Sequence, residues 1–249
     1  MVVSVNYSCY FVLFIYVALI KCIYKVVFIY NFIMHNTVKN LIYIEDLIKS
    51  KANDDNVPKI IAVSKTFPIE NILPLIEYGH LHYGENKVQE ALNKWTEIKN
   101  QNNVIKLHLI GGLQTNKVKF ALRIFDYIHS LDSEKLAKKI ADEQVKQKKQ
   151  PKIFIQVNIG NEDQKSGIKQ EKLFDFYNFC INLNLDIIGT MCIPPNDQNS
   201  KNYFFEMNKI NEELNLEDLS MGMSEDYLDA VKNNATYVRI GSKIFGNRD

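Results

Sequence analysis

The feature that most constrains this chain is an eightfold alternation. Short apolar runs near residues 60–64, 80–85, 106–111, 127–131, 152–158, 185–193, 218–223 and 236–241 are separated by stretches with helical spacing of their apolar residues. Eight strand–helix units are the number that closes a parallel barrel, so the expected fold is α/β, a single (β/α)8 TIM-type barrel. A helix should precede the first strand, because Val38, Leu41, Ile42, Ile44, Leu47 and Ile48 fall on one helical face. The helix through Leu136 and Ile140 should be capped by Asp132-Ser133, and Ser224-Glu225-Asp226 should open another with Ser224 at its N-cap. An open doubly wound sheet is the competing architecture. Against it, no GxGxxG turn follows the first strand, and polar residues end the strands all around rather than at one switch point.

No repeat, glycine-serine linker or low-complexity tract divides residues 34–249, so one domain is expected there. A chain of 249 residues with a net charge of +1 can build one sizeable core and carries no electrostatic footprint of nucleic-acid binding. Cys9, Cys22, Cys180 and Cys192 form no CxxC pair, which points to free thiols rather than to a zinc site or a disulfide framework. His80 and His82 would share a strand face, and we read them as satisfied structural histidines; no metal is expected. Residues 1–33 differ in kind. From Val2 to Ile20 nothing is charged, and Lys21 and Lys25 interrupt a second apolar run that ends at Ile33. This extension is long enough for a membrane anchor, but it lacks a basic leader and a small-residue cleavage site. We expect the functional protein to begin near Met34 and to be cytoplasmic, membrane-anchored only if the extension is real.

The chemistry should lie at the carboxyl ends of the strands. Lys65 emerges there from the apolar run Ile60–Ser64; most strand-end lysines are solvated charges, but a partly desolvated one could attack a carbonyl. Tyr83-Gly84-Glu85-Asn86, Gln156-Val157-Asn158, Ser220-Met221-Gly222-Met223-Ser224 and Arg239-Ile240-Gly241-Ser242 bring further polar groups to the same rim. Ser224 at a helix start, with Gly241 and Ser242 after the last strand, suits a phosphate; ordinary capping and a turn are the bland reading. Arg239 alternates onto the face of Gly241 and could point at a ligand ring, or be a buried arginine paired to a carboxylate. A reactive lysine with a phosphate cradle suggests pyridoxal 5′-phosphate (PLP), although an aldolase acting on a phosphorylated sugar would use similar parts.

The ordered motifs AVSKT, HYGENKVQE, HLIGGLQTNK, QVNIGNEDQKSGI, GTMCIPP, LSMGMSEDY and VRIGSKIFGNRD resemble the pyridoxal phosphate homeostasis protein family from about Ile60 to Asp249. The resemblance implies a barrel like the N-terminal domain of alanine racemase. It implies PLP held as a Schiff base on Lys65, phosphate contacts from Ser224, Gly241 and Ser242, Arg239 near the pyridine nitrogen, and Asn86 near the cofactor. Gly112 stands where the family usually has proline, and Ser242 where threonine is common, which keeps the hydroxyl. The implied role is a carrier or regulator in PLP homeostasis, without strong catalysis; the alternative is a weak PLP-dependent amino-acid racemase. The expected partners are PLP and PLP-dependent apo-enzymes, and the expected state is a monomer.

Overall fold

The computed structural model describes residues 34–52, 56–197 and 199–246. The hydrophobic extension over residues 1–33 lies outside the described residues.

Eight strands follow the apolar runs: β1 (Lys59–Val63), β2 (His82–Glu85), β3 (Lys106–Leu109), β4 (Tyr127–Leu131), β5 (Lys152–Val157), β6 (Ile187–Cys192), β7 (Asp218–Ser220) and β8 (Tyr237–Ile240). They pair in parallel in chain order, and β8 closes onto β1 through Lys59↔Tyr237 to Ala62↔Ile240. The expected (β/α)8 barrel is what forms. The helices are α1 (Asn36–Lys49), α2 (Leu73–Tyr78), α3 (Val88–Gln101), α4 (Val118–Ile124), α5 (Glu134–Gln147), α6 (Leu173–Asn182), α7 (Ser200–Glu213), α8 (Tyr227–Lys232) and the short α9 (Ser242–Phe245). Among the described residues no helix is long and apolar enough to cross a membrane.

Alternation along each strand makes two apolar layers. Residues such as Ile60, Ala62, Leu107, Ile128, Ile153 and Val238 face outward into the core beneath the helices. Ile61, Tyr127, Phe154, Met191 and Tyr237 form a smaller cluster of their own, the filling of the barrel. Burial of the outer layer is the main driving force, since it removes most of the aliphatic side chains from water. Close approach of β6 to β7 needs a glycine: a Cβ on Gly189 would lie 1.7 Å from the Asp218 carbonyl oxygen.

Ser133 does cap α5, accepting from the Leu136 N–H at 3.4 Å. The expectation for Ser224 is corrected. The N-cap position of α8 belongs to Asp226, and residues 224–226 form a turn before it. Asp226 uses its carboxylate to accept the Met223 N–H at 2.7 Å, which tightens the turn and leaves the Ser224 hydroxyl for another partner.

Candidate functional site

β1 is buried from Ile60 onward, so the chain leaves the barrel wall at Ser64 with its backbone still paired: the Ser64 N–H donates to the Gly84 carbonyl at 3.0 Å. Lys65 follows, half-buried, and Thr66 turns into the left-handed region at φ 68°. A β-branched residue is strained there, so something must hold it. The holder is α3. Glu90 accepts the Thr66 N–H at 2.7 Å, and Lys94 donates to the Ser64 carbonyl at 2.9 Å, to Glu85 at 3.0 Å and to Glu90 at 3.1 Å. Glu85, fully buried at the end of β2, also receives the Ser64 hydroxyl at 2.8 Å and the Trp95 indole N–H at 3.0 Å. Burial alone would raise the Glu90 carboxyl, but the Thr66 amide and Lys94 pull it below its ordinary value. The backbone on both sides of Lys65 is therefore clamped.

Asn86 continues from Glu85 and is fixed from the next strand. A Cβ on Gly111 would fall 2.5 Å from the Asn86 carbonyl oxygen, so only glycine allows the two backbones to lie this close. On the other edge of β1, the loops after β7 and β8 meet. The Gly241 N–H donates to the Ser224 hydroxyl at 3.4 Å, a long contact, and Ser242 opens α9 with first-turn N–H groups beside it. Gly241 has an ordinary backbone conformation, and a Cβ there would meet Val63 at 3.4 Å. Its small size clears space rather than permitting an unusual turn.

Arg239 sits below Gly241 on β8 with 5% of its surface exposed. Its guanidinium donates to the Ser220 hydroxyl and to the Cys192 carbonyl, each at 2.8 Å. Burial lowers its affinity for a proton, offset by Cys192 and Asp226, yet a guanidinium keeps its charge in proteins. No carboxylate pairs with it among the described residues, which removes the alternative of a carboxylate-paired arginine.

These parts share one space. A cavity of about 970 Å³ at the carboxyl ends of the strands is lined by Lys65, Asn86, Ser224, Arg239, Gly241 and Ser242, so all the residues singled out from the sequence reach its wall. Lys165 also lines it, tied to Glu162 and donating to the Pro194 carbonyl at 3.3 Å. A second groove, of about 730 Å³, lies at the opposite end among Lys99, Lys106, Asp126 and Lys152, away from these groups. Sequence reading missed the clamp of Glu85, Glu90, Lys94 and Trp95. Its signal was present: Glu90 and Lys94 are an i,i+4 pair one turn into α3. His80 and His82 are satisfied histidines, the first bonded to the His82 carbonyl at 2.9 Å and the second to His108 at 2.9 Å.

The closed eight-stranded parallel barrel, with Lys65 just beyond its first strand and on the wall of this cavity, is the fold of alanine racemase N-terminal domains. The family of that description matches residues 45–249. A pyridoxal phosphate homeostasis protein of Aquifex aeolicus is 38% identical over 204 residues, covering 78% of this chain and 89% of its own length. The structure of PipY of Synechococcus elongatus with PLP bound is 31% identical and superposes with a TM-score of 0.75 over 84% of this chain and 100% of its own. An alanine racemase of Clostridium difficile, 16% identical, shares the fold with a TM-score of 0.64 over 86% of this chain and 57% of its own. The chain belongs to the pyridoxal phosphate homeostasis protein family.

Proposed function

We propose that this protein binds PLP in the cavity above the barrel, with Lys65 as its covalent anchor, and serves as a carrier or regulator of the cofactor. The observation that supports this best is the convergence of the six residues on one cavity. The donor set fits the group. An amine suits an aldehyde, a buried guanidinium suits a ring nitrogen that stays unprotonated, and two hydroxyls with backbone N–H groups suit a phosphate dianion. When bound, PLP supplies an electrophilic aldehyde and an electron-withdrawing ring. Arg239, a fixed cation beside the ring nitrogen, disfavours ring protonation and so weakens that withdrawal. This favours holding the cofactor over turning substrate over, and a racemase reading is the weaker of the two. The parts all lie within residues 34–249, which we take as the functional domain, acting as a cytoplasmic monomer that supplies PLP-dependent apo-enzymes.

The test is a visible spectrum of the purified protein with PLP, followed by borohydride reduction and peptide mapping. The label is expected on Lys65, and Lys65→Ala should lose the protein-linked absorbance while keeping its fold. A label on another lysine overturns the assignment. For the cradle, Gly241→Val presses branched carbon against Val63 in the cavity wall and so displaces the Gly241 N–H, and it should weaken PLP more than Ser242→Ala, which removes one hydrogen bond of about 0.5–3 kcal/mol. Free pyridoxal, which lacks the phosphate, should bind parent and variants nearly equally. Equal losses for pyridoxal and PLP would place the phosphate elsewhere.

A further inference from the structure

Arg239 raises a physical question. A buried cation normally has a carboxylate partner, and this one has a hydroxyl and a carbonyl. What lies behind the hydroxyl is a line of imidazoles through the barrel. Ser220 Oγ contacts His129 Nδ1 at 2.9 Å, His129 Nε2 contacts His108 Nδ1 at 2.9 Å, and His108 Nε2 contacts His82 Nδ1 at 2.9 Å. His82 is half-buried and lines a small cavity at the barrel floor, while His108, His129 and Ser220 are buried.

The direction of every bond in this line follows from its upper end. A guanidinium can only donate, so Ser220 Oγ accepts from Arg239. The single hydroxyl proton then has one remaining recorded partner, His129 Nδ1, which must present a lone pair. A neutral His129 therefore carries its proton on Nε2 and donates to His108, which does the same to His82. The reverse order would leave the buried Ser220 proton without an acceptor. All three rings thus turn their lone-pair edges toward Arg239 and their N–H edges toward the floor.

We propose that His82, His108, His129 and Ser220 form one polarised column that stands in for a carboxylate beneath Arg239, with Ser220 and His129 as positioning residues that hold the guanidinium toward the ring site. The aligned imidazole dipoles place their negative ends toward the cation. Unlike a carboxylate, they leave its net charge intact for the cofactor. Burial, then His80, Lys59 and Lys106, oppose a charged His82 ring at the floor and outweigh Asp126, which favours one, in keeping with a neutral column. The role assigned to Arg239 rests on the PLP reading above; the order of the column does not.

Nitrogen-15 NMR of the histidine rings in the full-length protein without cofactor reads the tautomers directly. His82, His108 and His129 are expected as neutral Nε2–H rings at pH 7. Ser220→Ala should release His129 and His108 into mixed tautomers and raise the PLP dissociation constant about tenfold, the effect of losing one charge-assisted hydrogen bond. Ser220→Thr, which keeps the hydroxyl, should restore both. His82→Phe should leave His108 and His129 as Nε2–H, because the order is imposed from the Arg239 end. An imidazolium or an Nδ1–H ring at His108 or His129 in the parent overturns the proposal, as does a Ser220→Ala protein with unchanged tautomers and PLP affinity. Expected tautomers in a parent that fails to bind PLP would support the column and refute the cofactor reading, so the two failures are separable.

Discussion

Glu85 gathers three donors on one oxygen: the Ser64 hydroxyl, the Lys94 ammonium and the Trp95 indole. Its other oxygen is buried with no recorded partner, so the carboxylate depends on Lys94 for charge compensation. Lys94→Met is expected to destabilise the fold by about 3 kcal/mol, the usual cost of leaving a buried charge unpaired. Urea unfolding measures it. Adding Glu85→Gln should recover part of the loss, because the stranded charge is then gone. A double variant as unstable as the sum of two singles would mean that the pair is not coupled. Lys94→Met should also weaken PLP binding, since the Ser64 carbonyl next to Lys65 loses its donor. The same residues show why the site was only partly legible. Lys65, Ser224, Arg239, Gly241 and Ser242 could be found because each ends a strand or opens the turn after it. The clamp showed only its Glu90–Lys94 spacing, since Glu85 reads simply as a strand end until Lys94 and Trp95 are seen to point back at it from α3.

At the scale of elements, α5 offers the clearest local test. It starts at Ser133, whose hydroxyl accepts at a long 3.4 Å, and ends at Lys148, held in the left-handed region at φ 52°. A lysine there costs roughly 1 kcal/mol relative to glycine. Lys148→Gly should therefore raise stability by about 0.5–1 kcal/mol, while Ser133→Ala should lower it by about 0.5–1 kcal/mol, at the weak end for a cap. Both changes are measurable as urea midpoints, and a destabilised Lys148→Gly protein would contradict the strain argument. The apolar runs located every strand because a buried parallel strand must be apolar on both faces. The start of α8 lies two residues beyond the expected cap because the Ser224 hydroxyl accepts the Gly241 N–H rather than a helix N–H, and residues 224–226 turn before the helix begins. The histidine column was beyond sequence reasoning. Its upper bond joins His129 to Ser220 across 91 residues, a contact that exists only once β4 and β7 face each other inside a closed barrel.

For the molecule as a whole, the buried histidines couple folding to pH. Burial holds His80 and His82 down to about 4 and keeps His108 and His129 well below the ordinary value of 6.5. In the unfolded chain each ring takes up a proton near pH 6.5; in the folded protein His80 and His82 do so only near pH 4, and burial holds His108 and His129 well below their ordinary value. The unfolded state therefore binds more protons throughout the window from about 6.5 down to 4. Stability is full above that window and falls as the pH drops through it. At pH 5.5 unfolding should take up about two protons from His80 and His82, and His108 and His129 add to that uptake in the same direction. The slope of unfolding free energy against pH, from urea titrations between pH 7.5 and 5.5, reads this number. Glu45, Asp132 and Asp218, whose carboxyls burial raises, titrate in the opposite direction, so the urea titrations stop at 5.5 rather than running further into the acid range. His108→Gln should lower the uptake, because the unfolded chain then has one imidazole fewer to protonate. A parent that takes up one proton or fewer at pH 5.5 would mean that most of these rings are already charged in the folded barrel, and neither their burial nor a neutral column beneath Arg239 could then stand.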